Sequence, residues 1–217
     1  MPIRVWDLPT RMFHWSLAAC VCGLLVTAQI GGTAMPWHFR FGYAALVLVM
    51  FRLIWGFVGG YWSRFSVFLS TPGAALAYAR TPFRARPRSV GHNPLGAWSV
   101  LTMLLATLLQ VVAGLFSDDD IAASGPLVRF ASGQWVEWAT HYHTGLGKLA
   151  LFGLIALHVV TVVWYRLKHG LDLVRPMLEG DKLLPPDTRA ANDTTTARFF
   201  AAMVFATCVG LVVFFLP

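Results

Sequence analysis

Five stretches of this chain each stay apolar for about twenty residues. At ~1.5 Å of rise per helical residue, that length matches the ~30 Å hydrocarbon layer of a bilayer. No water reaches backbone N–H and C=O groups inside that layer, so spans of this length fold as helices. The first runs from about Met12 to Ile30, entered at Pro9-Thr10 and left at Gly31-Gly32. The second runs from about His38 to Val58 and closes on Gly59-Gly60. The third opens at Asn93-Pro94, where Asn caps and Pro fits the first turn, and continues to about Phe116. The fourth covers roughly Thr144 to Tyr165 and the fifth Phe199 to Leu216. With 57% hydrophobic and only 12% charged residues, the expected class is all-α integral membrane rather than a soluble domain.

The scarce charges orient the spans. Arg4 and Arg11 precede the first; Arg64, Arg80, Arg84, Arg86 and Arg88 lie between the second and third; Arg166, Lys168, Arg175, Lys182, Arg189 and Arg198 follow the fourth. The opposite side has an uncharged IGGTAMPW loop and a loop with Asp118-Asp119-Asp120, Arg129 and Glu137. The positive-inside rule therefore expects a cytoplasmic N-terminus, and five spans put the C-terminus on the other side. A net charge of +7 spread beside membrane spans is not a nucleic-acid stripe. The N-terminal segment lacks a small-residue cleavage site, so the first span is expected to be retained. Cys20, Cys22 and Cys208 sit in apolar runs outside any C-x-x-C-H pattern, which argues against disulfides and covalently attached haem. No Walker, Rossmann or H-E-x-x-H motif occurs.

The histidines carry the chemistry. His143 and His158 are fifteen positions apart in one span, roughly 22 Å along a helix and about 60° apart in azimuth. His158 lies toward the cytoplasmic end of its helix, at the depth of His14 in the first span; His143 lies at the outer end, at the depth of His38 in the second. Two depth-matched pairs can ligate two haems b, which need axial imidazoles and an apolar slot but no covalent link. An ionisable group at membrane depth is rarely only structural. His141 is the rival to His143 but falls about 100° off the His158 azimuth and further into the loop. His92 reads as a cap for the third span or as a contact to a propionate or quinone, and His169 as a solvated residue of a basic tail. Arg52 either snorkels to headgroups or pairs with a haem propionate, and Arg40 is the outer-side counterpart. The Asp118–Asp120 run reads as a solvated face or as a dock for a positively charged electron carrier. Two other readings stay open: a His-lined metal or proton transporter, and a passive membrane anchor of a redox complex.

VWDLPTRMFHW at the N-terminus, HFRFGY followed by FRLIWGFVG, GHNPLG before the third span and ALHVVTVVWYR in the fourth resemble the bacterial cytochrome b561 family. That family includes cytochrome subunits of nickel–iron hydrogenases and superoxide:quinone oxidoreductases. The resemblance covers roughly residues 3–180. It implies a four-helix di-haem core with a fifth, C-terminal helix outside it, in the bacterial inner membrane. It also implies electron flow between a periplasmic partner (a c-type cytochrome, a hydrogenase-like subunit or superoxide) and the quinone pool, with ubiquinone as a candidate substrate. Its ligand positions fall on His14, His38, His143 and His158. Hydrogenase-type members often have a histidine near positions 62–64, where this chain reads Trp62-Ser63-Arg64. The organisation expected is a di-haem domain over 1–180, a cytoplasmic linker over 181–197, and a fifth membrane helix over 198–217. Whether the chain is itself an enzyme or only an electron-transfer subunit is left open by the residues.

Overall fold

The computed structural model describes residues 1–85, 89–121 and 123–216, so Arg86 and Arg88 lie outside the described residues. Strand β1 (Pro2–Arg4) leads into α1 (Leu8–Ile30) and α2 (Met35–Val58). Two short helices follow, α3 (Phe65–Phe68) and α4 (Pro72–Arg80), then α5 (Pro94–Leu115). Helix α6 (Gly133–His141) passes through a π-helical turn (Tyr142–Leu146) into α7 (Gly147–His169). Helix α8 (Val174–Glu179), strand β2 (Asp181–Leu183) and α9 (Thr195–Phe215) complete the chain. Among the described residues, five helical segments are long and apolar enough to cross a membrane, which makes this an all-α, multi-pass membrane protein as expected.

The helix starts depart most from the sequence reading. Helix α1 begins at Leu8 because the Asp7 carboxylate accepts the Thr10 N–H at 2.8 Å, an N-cap followed by Pro9 in the first turn. The helix that carries the fourth span begins at Gly133, ahead of the apolar stretch from Thr144, and Ser132 caps it through the Trp135 N–H. Its first two turns mix Glu137 and Thr140 with tryptophans and extend the helix beyond the apolar stretch. Helix α5 starts where Asn93-Pro94 places it, with Asn93 Oδ1 accepting from Gly96 N at 2.8 Å.

The chain divides into two compact units. One comprises Met1–Met12, Arg52–Thr102 and Leu157–Val204. Its centre is Asp7, 1% exposed, whose Oδ2 accepts from Ser63 Oγ at 2.7 Å and from the Trp55 indole at 3.3 Å. Ser63 Oγ also meets Thr10 Oγ1 at 2.8 Å, so one carboxylate ties the entrance of α1 to the exit of α2. Gly60 is required here, since a Cβ on it would sit 2.5 Å from Asp7 Oδ2.

The stretch expected as a linker over 181–197 is fastened within the same unit. Strands β1 and β2 pair antiparallel, Ile3 opposite Lys182, and Val5 and Trp6 N–H both bond Gly180 O. Arg4 pairs with Asp181 at 2.6 Å and Asp193 at 3.0 Å, and Asp193 also holds Arg198 at 3.0 Å and accepts the Leu8 N–H at 3.1 Å. Ala191 N–H donates to Arg4 O and the Trp62 indole to Arg189 O. Three-residue strands carry too little apolar alternation to be legible in sequence.

The second unit comprises Phe13–Phe51, Met103–Ala156 and Phe205–Pro217. Helix α2 is buried there over Ala45–Val49 without a break, so it has no lipid face along this turn. Leu104, Val111, Ala113 and Leu115 of α5 add to the core, and Phe51 meets Phe205 of α9 edge-on at 6.0 Å. Gly23 lets the Phe41 ring lie against α1, where a Cβ would be 2.7 Å from the ring. Other long apolar side chains of these helices are exposed, Leu149 at 65% and Phe214 at 78% among them, as lipid-facing residues are.

Replacing Asp7 with Ala removes a cap and strands the Ser63 and Trp55 donors. A loss of about 2–4 kcal/mol is expected, read as a lower thermal midpoint in detergent, whereas Asp187→Ala on the exposed tether should be neutral. Burial alone would raise the Asp193 pKa, but the hydrogen bonds from Arg198 and the Leu8 N–H, with the charges of Arg198 and Arg4, bring it below the usual value. Its contribution is therefore present above the ordinary carboxylate pKa and lost as pH falls through the depressed one. Limited proteolysis should find the 181–197 segment resistant at neutral pH and cut in acid, and cut already at neutral pH in Asp193→Asn.

Candidate functional site

Two of the sequence-selected histidines meet in the second unit. The His38 ring on α2 and the His143 ring in the π-helical turn have centroids 6.2 Å apart and planes at 87°. His38 Nδ1 lies 3.1 Å from Leu24 O and 3.2 Å from Thr27 Oγ1, whose own proton goes to Gly23 O at 2.7 Å. His143 Nδ1 lies 2.8 Å from Gln110 O. A carbonyl only accepts, so Nδ1 carries the proton in both rings and Nε2 is left with its lone pair. That is the tautomer a metal needs, and the fixed second nitrogen strengthens the ligand.

The pair borders a cavity of about 320 Å³ lined by α1, α2, α5, the π turn and α7, with Leu24, Phe39, Val111 and Leu151 in its apolar wall. Gly42, one turn beyond His38, faces the cavity, and a Cβ there would touch nothing within 4 Å. Gly114 is the opposite case, since its Cβ would lie 2.7 Å from His143 Cε1. The absent side chain lets the imidazole reach the α5 backbone. His141, the rival, is exposed at the end of α6. Arg40 is exposed with its guanidinium over Trp37 at 4.7 Å, whereas Lys148 lines the cavity. The Asp118 and Asp119 carboxylates accept from Asp120 N, Ser124 Oγ, Ile121 N and Ala123 N, which spends them on shaping their own loop.

His158 on α7 and Arg52 on α2 belong to the first unit, and His14 on α1 to the second; both histidines are half-buried. His14 sits edge-on to Trp15 at 5.0 Å. Arg52 does not snorkel: it is 2% exposed, stacked over Phe65 at 5.1 Å and Phe68 at 5.8 Å, and its Nη1 has no hydrogen-bond partner among the described residues. A buried guanidinium with an open donor is built for an acceptor. His92 is not the α5 cap, a role Asn93 takes, but lies between Trp6 and Phe68, each 4.7 Å away. Burial, then the charges of Arg52 and Lys182, push its pKa down to about 3, so it is neutral throughout the physiological range. His169 is not a solvated tail residue: it stacks on Phe83 at 3.4 Å and meets Trp164 edge-on at 4.5 Å.

The residues fit a haem. Metal–imidazole bonds of about 2 Å on each side, plus about 1.1 Å from each nitrogen to its ring centre, set two axial imidazoles about 6 Å apart. The 6.2 Å between His38 and His143 matches that spacing. Membrane spans with two imidazoles of one tautomer at ligand distance mark an integral membrane protein with a cofactor cavity. The chain belongs to the family described as prokaryotic cytochrome b561, whose profile matches residues 5–180. It is therefore a membrane b-type cytochrome with a role in electron transfer, and haem b is the cofactor its family implies.

Among its relatives is a probable Ni/Fe-hydrogenase B-type cytochrome subunit of Rhizobium leguminosarum bv. viciae. It is 22% identical over 218 aligned positions, covering 83% of this chain and 89% of the relative. The corresponding protein of Azotobacter vinelandii is 22% identical over 222 positions, covering 85% and 90%. A probable Ni/Fe-hydrogenase 1 B-type cytochrome subunit of Escherichia coli (strain K12) is 24% identical over 135 positions, covering 51% and 57%. No solved structure matches the chain.

Gly114→Ala should push the His143 imidazole off the α5 backbone and lower the haem-to-protein ratio of the purified protein. Gly153→Ala, where a Cβ meets nothing within 4 Å, should leave that ratio unchanged.

Proposed function

We propose that the chain is a di-haem electron conduit, carrying electrons across the bacterial inner membrane between a periplasmic redox partner and the quinone pool. His38 and His143 hold the outer haem b, and His14 and His158 the cytoplasmic one. Arg52 offers its open Nη1 to a propionate of the cytoplasmic haem. Bound haem supplies the one-electron couple. The chain's own residues orient the ligand nitrogens through Leu24, Thr27 and Gln110, keep water out with the apolar wall, and stabilise carboxylate charge at Arg52. The single observation that carries this reading is the His38–His143 pair, with matching tautomers and a 6.2 Å spacing beside a cavity.

The names of the relatives support a metalloenzyme as the outer partner, in the manner of a hydrogenase, ahead of a soluble c-type cytochrome or superoxide. The charge distribution supports a cytoplasmic N-terminus. Residues 1–180 then form the di-haem domain, 181–197 its cytoplasmic linker, and 198–217 a helix added to it. Ubiquinone is the electron carrier in the membrane.

Pyridine haemochrome assay and a dithionite-reduced minus oxidised spectrum of the purified protein should give two haems b per chain. His38→Ala or His143→Ala should each leave one, and so should His14→Ala or His158→Ala, with a different haem lost in the two sets. A His143→Ala protein that kept both haems would overturn the ligand assignment.

A further inference from the structure

We infer that Gln110 is a positioning residue that sets the ligand field of the outer haem by holding the π-helical turn at His143, an inference that rests on the His38–His143 assignment above. Wide turns of this kind gather at functional sites because they re-aim a side chain, but they disrupt the ordinary hydrogen-bond ladder. In an α-helix the Gly147 N–H would bond His143 O, four residues back; here it bonds Tyr142 O, five residues back. His143 O has thereby lost its ordinary donor within a membrane span, where an unmet carbonyl is costly. Gln110 supplies the replacement, its Nε2 donating to His143 O at 2.8 Å. The same residue's backbone carbonyl accepts from His143 Nδ1 at 2.8 Å. One residue of α5 thus grips the ligand at both its backbone and its ring.

Two glycines make the grip possible. Gly147 is buried, and a Cβ on it would collide with Gln110 Oε1 and the Tyr142 ring. Gly114 opens the groove through which the imidazole reaches Gln110 O. The geometry has an electronic consequence. A strong Nδ1–H···O bond gives the imidazole partial imidazolate character, raises its basicity and favours the ferric state of a bound iron. Loosening the turn lengthens that bond and favours the ferrous state.

The test uses the full chain purified with its haem. Gln110→Leu removes the amide at similar volume, and Gly147→Ala displaces the amide without removing it. Redox titration followed in the visible spectrum, with low-temperature electron paramagnetic resonance of the ferric form, should show one of the two haem components shifted to a more positive midpoint. Its low-spin g values should change too, while the other component stays where it is in the parent protein. Parent-like midpoints and g values in both variants, with haem retained, would overturn the inference and leave the ligand assignment standing. Retention of both haems in His143→Ala would overturn the assignment and the inference together.

Discussion

A bilayer interior offers backbone groups no water, and that constraint governs how this chain is allowed to bend. Regular helices meet it within themselves, so α1, α2, α5, α7 and α9 need only length and apolar surface. Every departure from regularity must be repaired by a named neighbour. The π turn at Tyr142–Leu146 frees His143 O, and Gln110 Nε2 takes it. The start of α1 leaves N–H groups open, and Asp7 takes one while receiving the Ser63 hydroxyl. Both repairs fall where the chain carries its polar chemistry. The first is supplied by another helix, the second by the cap residue of α1 itself.

This division explains what could be read from the sequence. Apolar length is a local property, so five spans were visible at once, as were the Asn93-Pro94 start of α5 and the histidines at membrane depth. The family motifs, resting on runs such as VWDLPTRMFHW, pointed to the b561 group before any contact was known. Capping at Asp7 is local too, and the D-L-P signature could have placed the start of α1 four residues earlier. Gln110 carries no such signal, because its role depends on a carbonyl thirty-three positions away. The same holds for the anchoring of the 181–197 stretch: Asp193 reads as one polar residue in a polar tether until Arg4, 189 positions back, is brought beside it. His169 was misread for a related reason, since its aromatic partner Phe83 lies in a distant loop.

Charge is handled by the same principle of external repair. Arg4, Asp181, Asp193 and Arg198 form a network in which each acid faces a base, at a water-accessible edge where desolvation is partial. Arg52 is different. It is fully buried, rests on aromatic faces, and has no ion-pair partner within salt-bridge distance among the described residues. Ring stacking compensates a guanidinium only partly, so a fold that keeps Arg52 this way leaves a deficit of acceptor at that point. A carboxylate oxygen reaching Nη1 would remove it.

Glycine is the means by which these repairs reach their targets. Gly60 admits the Asp7 carboxylate, Gly114 the His143 ring and Gly147 the Gln110 amide, each at a distance a Cβ would forbid. In a membrane helix the absence of a side chain costs less than in water, because the surrounding lipid already enforces the helical hydrogen bonds. For Gly114 and Gly147 the close approaches therefore cost little stability, and they hold the His143 ring against α5. Gly42 works by the converse logic: its missing Cβ admits no protein group at all. Space that no neighbour fills, one turn from a histidine of fixed tautomer, is what a flat macrocycle requires.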